Sequence, residues 1–144
     1  MIGVTRSSKK DVGVRRKAPI VRQFMTRIPI ELETCEKVGE AIAVMASHAI
    51  RHIPVMSGSH LKGVISQSDI LQAQVEYDDA LDDMALEEIC QRDVLSVSPV
   101  TPIDQVAKQM LERKTGSAIV VDGDFVVGIF TTTDALRALS DIFG

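Results

Sequence analysis

The chain has 144 residues, enough for about one domain, and its 45% apolar and 25% charged residues supply a packed core rather than wholesale disorder. No apolar run reaches the ~20 residues of a membrane span, the start MIGVTRSSKK lacks the apolar stretch of a secretory signal, and two cysteines are too few for a disulfide framework or a cysteine-rich zinc site. A soluble protein of the reducing cytoplasm is the expectation, and four Phe and one Tyr with no Trp argue against a surface that stacks single-stranded bases.

The net charge of −4 is unevenly spread. Residues 1–19 set Arg6, Lys9, Lys10, Arg15, Arg16 and Lys17 against Asp11, which leaves +5 here and −9 on the rest. This basic tail has no amphipathic period and is read as flexible: a solvated leader, or an electrostatic anchor for a partner or polyanion. The acidic body makes nucleic acid an improbable partner outside the tail.

After the tail the chain repeats itself. A shift of 65 residues aligns 21–75 with 86–140 without a gap, with eight identities: Arg27/Arg92, Met45/Met110, Val55/Val120, Gly58/Gly123, Gly63/Gly128, Asp69/Asp134, Leu71/Leu136 and Ala73/Ala138. Each copy opens on a strand-like segment, Ile28–Leu32 or Val94–Val97. A helix follows, with a stripe of Val38, Ala41, Ile42, Met45, Ala46 and Ala49 in the first copy and Ile103, Val106, Ala107, Met110 and Leu111 in the second. Thr101 is the expected cap of the second of these helices, Pro102 its first residue and Gly116 its end. The first has no such start signal and carries Gly39 in its opening turn.

A hairpin comes next in each copy, turning at Ser57-Gly58-Ser59 and Asp122-Gly123-Asp124, where glycine supplies positive φ. Each hairpin feeds a short helix from Asp69 or Asp134. The unit is β-α-β-β-α, and one copy of about 55 residues is too small to bury a good core alone. Two copies packed sheet to sheet with pseudo-two-fold symmetry, helices outside, give an α+β fold: unit one at 20–77, unit two at 86–144. Between them, 78–85 lies in an acidic run without basic residues, read as a solvated connector because no glycine-turned metal loop is present.

Ser66-x-x-Asp69 and Thr131-x-x-Asp134 both sit where a strand turns into a helix. As local structure each is a capping box. The same geometry offers helix N–H groups and a hydroxyl to a phosphate and a carboxylate to a ribose. His48 and His52 are four apart, but Pro54 implies that the helix has ended before His52, so no zinc site is expected. Cys35 and Cys90 are each expected to be buried free thiols.

Arg51-His-Ile-Pro-Val followed by Gly63-Val-Ile-Ser-Gln-Ser-Asp69, recurring as Gly116-Ser-Ala-Ile-Val-Val and Gly128-Ile-Phe-Thr-Thr-Thr-Asp134, resembles a tandem pair of cystathionine-β-synthase (CBS) domains, a Bateman module, over about residues 20–142. The resemblance implies two units facing across their sheets, a flat homodimer, and an adenosine-containing ligand, AMP or ATP foremost, in the clefts between units. It implies no catalytic step; such modules report nucleotide state to a regulated protein, here unidentified, and this chain would be a stand-alone module. The residues it implicates are Val64, Ser66, Ser68 and Asp69 in the first copy and Ile129, Thr131, Thr133 and Asp134 in the second. Arg51 and His52 would face phosphate, with Gly116 and Ser117 at the matching places, so the clefts are expected to differ. Ile30 and Leu95, with Val64 and Ile129, would line an adenine slot. The competing readings are a ligand-free dimeric scaffold and a nucleic-acid-associated protein acting through its tail.

Overall fold

The computed structural model describes residues 18–27 and 30–144. The basic tail up to Lys17, and Ile28 and Pro29 of the first strand segment, lie outside the described residues.

The elements are β1 (Leu32–Glu33), α1 (Val38–His48), β2 (His52–Ser57), β3 (His60–Ser66), α2 (Gln67–Tyr77), β4 (Ser96–Val97), α3 (Ile103–Arg113), β5 (Ser117–Asp122), β6 (Phe125–Thr131) and α4 (Thr132–Phe143). They form two three-stranded sheets, β1-β2-β3 and β4-β5-β6. In each, the short first strand runs parallel to the central strand, and the hairpin is antiparallel. Gly58 and Gly123 turn the hairpins at φ 61° and 63°. The opening strands are shorter than expected: Ile30, Val94 and Leu95 precede the paired residues.

Alternation along the strands divides the core. Ile53, Val55 and Ile65 face α1 and α2, and Ala118, Val120 and Phe130 lie in the core under α3. Their neighbours Val64, Ile119 and Ile129 point the other way and form a third cluster with Leu61, Val94, Val121 and Val126. That third cluster joins the two sheets, because side chains one residue apart lie on opposite faces. The central strands β2 and β5 are thus buried on both sides. The helical stripes are narrower than the sequence pattern implies, since Ile42 and Leu111 are exposed.

The chain crosses between the units twice. Val21 is fully buried in the core of the second unit. Thr26 and Ile129 exchange two main-chain hydrogen bonds of 2.8 Å. One repeat later the pattern is returned: Leu86 is fully buried in the core of the first unit, and Val64 and Gln91 exchange two bonds of 2.9 Å. A residue 20 to 27 therefore belongs to the first copy by order and packs with the second. Gly63 and Gly128 permit these crossings, since a Cβ at Gly63 would lie 2.4 Å from the Gln91 carbonyl oxygen and one at Gly128 2.9 Å from that of Thr26.

α3 departs from the sequence reading at both ends, and the crossings explain its start. Helix α3 starts one residue later than expected, with Pro102 as its cap and no side-chain capping bond. The Ile103 N–H instead donates to the Pro19 carbonyl at 2.9 Å, and at the matching place the Val38 N–H donates to Met84 at 2.9 Å. Main chain from elsewhere takes the place of a side-chain cap. Nor does Gly116 end α3: Lys114 adopts the left-handed conformation at φ 55°, as Ala49 does at φ 54° after α1.

The acidic connector is not wholly solvated. It winds into a 3₁₀ turn at Asp78–Asp83, followed by another at Leu86–Glu88 where the second unit opens, and Leu81 is fully buried under α1 and α2. Of the two thiols, Cys90 is half-buried and Cys35 is exposed.

Candidate functional site: two clefts between the units

Both capping boxes form. Ser66 accepts from the Asp69 N–H at 3.0 Å while the Asp69 carboxylate accepts from the Ser66 N–H at 3.0 Å. Thr131 and Asp134 reciprocate at 3.2 and 2.9 Å. A β residue, a hydroxyl cap and an acid at the third helical position satisfy two N–H groups that a helix start otherwise leaves open. The next N–H is also held: Gln67 donates to the Arg51 carbonyl at 2.9 Å, and Thr132 to that of Gly116 at 3.1 Å. These bonds tie Arg51 to the start of α2 and Gly116 to the start of α4, each within its own copy.

Two clefts open at these helix starts. The first, with a volume of about 650 Å³, brings together Val64, Ser66, Ser68, Asp69, Arg51 and His52 from the first copy with Leu95, Gly116 and Ser117 from the second. The second, of about 480 Å³, gathers Ile129, Thr131, Thr133 and Asp134, again with Arg51, His52 and Gly116. Thirteen of the fourteen implicated residues therefore line a cleft. Ile30 is not among the described lining of either cleft and packs against the first core. Val64, Val94 and Leu95 give the Asp69 cleft an apolar wall, and among the described residues neither cleft has a Phe or Tyr in its lining.

The two carboxylates differ. Asp69 lies part-buried and takes one further bond, from the Gln91 amide at 3.1 Å. Asp134 is 2% exposed and is held by Thr26 Oγ1 at 2.9 Å, Thr131 Oγ1 at 3.1 Å and Arg137 Nη1 at 2.7 Å, besides its capping bond. Both Asp134 oxygens thus accept two hydrogen bonds each from within the chain.

Arg51, His52 and Gly116 line both clefts. Burial holds the His52 imidazole below its ordinary pKa; Asp69 and Asp134 oppose that shift from the two sides, while Arg51 adds to it. Further lining residues arrive through the crossings and the helix ends: Gln91, Asp93, Arg113 and Lys114 at the first cleft, Thr26, Arg27 and Arg137 at the second. Arg113 pairs with Asp93. Only the Arg27/Arg92 identity in the repeat gave a sign of any of these.

A CBS domain family model matches residues 21–76 and 86–141. An L-aspartate semialdehyde sulfurtransferase of Methanocaldococcus jannaschii is 31% identical over 126 residues, which cover 84% of this chain and 24% of that protein. The chain thus spans about a quarter of that relative's length. Among solved structures, a putative acetoin utilization protein (AcuB) from Vibrio cholerae matches with a TM-score of 0.75 at 31% identity, over 88% of this chain and 93% of that one. The CBS domain pair of protein MJ0100, in complex with 5′-methylthioadenosine and S-adenosyl-L-methionine, matches with a TM-score of 0.78 at 28% identity, over 87% and 98%. The repeat, the facing sheets and these matches agree: the chain belongs to the CBS domain family and carries two CBS domains as a pair.

Proposed function

We propose that this CBS pair is a regulatory module that binds an adenosine-containing nucleotide of the AMP or ATP class in the Asp69 cleft. The observation that carries the proposal is the Asp69 carboxylate at the start of α2, with lone pairs left for ribose hydroxyls, between the apolar wall of Val64, Val94 and Leu95 and the cationic Arg51. In this reading adenine lies against the apolar wall and the phosphate is taken by Arg51, His52 and the Ser66 and Ser68 hydroxyls. The adenosine ligands of the MJ0100 pair support this ligand class. The module itself performs no reaction. It acts as a cytoplasmic homodimer through α2 and α4, and ligand favours whichever arrangement of the units binds it more tightly; a regulated protein reads that arrangement.

The test is calorimetric titration of AMP and ATP into the wild-type chain and Asp69→Ala. Loss of the cap alone costs about 1 kcal/mol of stability. The expected result is one nucleotide per chain and at least a tenfold weaker affinity in the variant, measured where both remain folded. Equal affinity in the two proteins would overturn the assignment of Asp69, and no saturable binding would favour a ligand-free scaffold.

A further inference from the structure

The Asp134 cleft differs in kind from its counterpart. A carboxylate offers about four lone-pair sites. Those of Asp134 are taken by the Thr131 N–H, the Thr131 and Thr26 hydroxyls and Arg137, so the two hydroxyls of a ribose find no acceptor there. Arg137 completes the closure from one turn along α4 at 2.7 Å. Its repeat counterpart, Gln72, lines the Asp69 cleft and carries no charge. What the second cleft presents instead is positive charge: Arg27, Arg51 and Arg137 stand against a single carboxylate, with the Thr132 and Thr133 hydroxyls beside them. Among the described residues, neither Arg27 nor Arg51 is engaged in an ion pair. The Arg137 guanidinium has five N–H donors and spends one on Asp134, so it too can donate into the cleft.

We infer that the Asp134 cleft is a site for a small inorganic oxyanion of the phosphate or pyrophosphate class, and that Arg137 is the residue that keeps a nucleoside out of it. Planar guanidinium forks match phosphate oxygens and hold them with charge-assisted hydrogen bonds. A volume of about 480 Å³ leaves room for pyrophosphate and its water. Removing Arg137 takes away an anion ligand and at the same time frees one Asp134 acceptor site for a ribose hydroxyl. That last consequence rests on the nucleotide proposal above; the anion site does not.

The experiment titrates inorganic pyrophosphate, and separately AMP, into the wild-type chain, Arg137→Gln and Asp69→Asn, with circular dichroism confirming the fold of each. Wild type is expected to take one pyrophosphate per chain. Asp69→Asn should bind it within about twofold of wild type, while Arg137→Gln should bind it about tenfold more weakly. The AMP stoichiometry should rise from one per chain in wild type to two in Arg137→Gln. Absence of pyrophosphate binding, or unchanged affinity in Arg137→Gln, overturns the anion site. Two AMP per wild-type chain overturns the exclusion of nucleoside. If no form binds AMP but the pyrophosphate pattern holds, the nucleotide proposal falls and the anion site stands.

Discussion

His52 sits where the two clefts meet, and its chemistry is set by competition between burial and two carboxylates. Burial wins, so the folded protein holds the proton more weakly than the unfolded chain does. As pH falls through the ordinary histidine value of 6.5 toward the lower folded value, the unfolded chain takes up the proton first, and stability falls. Above that window the contribution is complete. Urea unfolding of wild type and His52→Gln at pH 7.5 and 5.5 should show the larger loss in wild type; equal losses would mean that His52 titrates alike in both states. Asp69 and Asp134 were legible in the sequence as twin helix caps that face a cleft. Their inequality was not, because it comes from Gln91, Thr26 and Arg137, two of which reach their carboxylate from the opposite copy.

Among the elements, the acidic connector carries a packing role hidden by its composition. Leu81 has no exposed surface and sits among Val38, Ala41, Ile70 and Ala73 in the first core. Leu81→Ala should therefore cost about 2–5 kcal/mol, as large-to-small core changes do, while Asp79→Ala on the exposed side should stay within about 0.5 kcal/mol. Urea denaturation with a common m-value distinguishes them, and a loss below about 1 kcal/mol for Leu81→Ala would show that the turn folds back without it. The hairpins, the facing strands and both capping boxes follow from local rules: period-two alternation, a glycine at positive φ, a hydroxyl three residues before an acid. The starts of α1 and α3 escape such rules because carbonyls of Met84 and Pro19 hold them. A single leucine inside a charged run likewise has no periodic neighbour to mark it as core.

At the scale of the whole molecule, α2 and α4 leave apolar side chains in water. Val75 is 87% exposed and Phe143 80%, with Leu71, Leu136 and Leu139 on the same two helices. A second copy laid on this surface would remove it from solvent. Sedimentation should find wild type dimeric and the pair Leu136→Ser with Phe143→Ser shifted toward monomer; a monomeric wild type would overturn the proposed homodimer.

The double crossing of the chain has a further consequence, for the order in which a ribosome delivers it. The first unit lacks Leu86 and the Gln91 bridge until the opening of the second copy has been made. Val21 packs with Phe130, and Thr26 precedes its partner Asp134 by 108 residues. Neither unit can close while only its own half exists. Closing the second unit therefore requires a long-range contact between residues 21–26 and 129–134, which ties the folding of the two halves to each other.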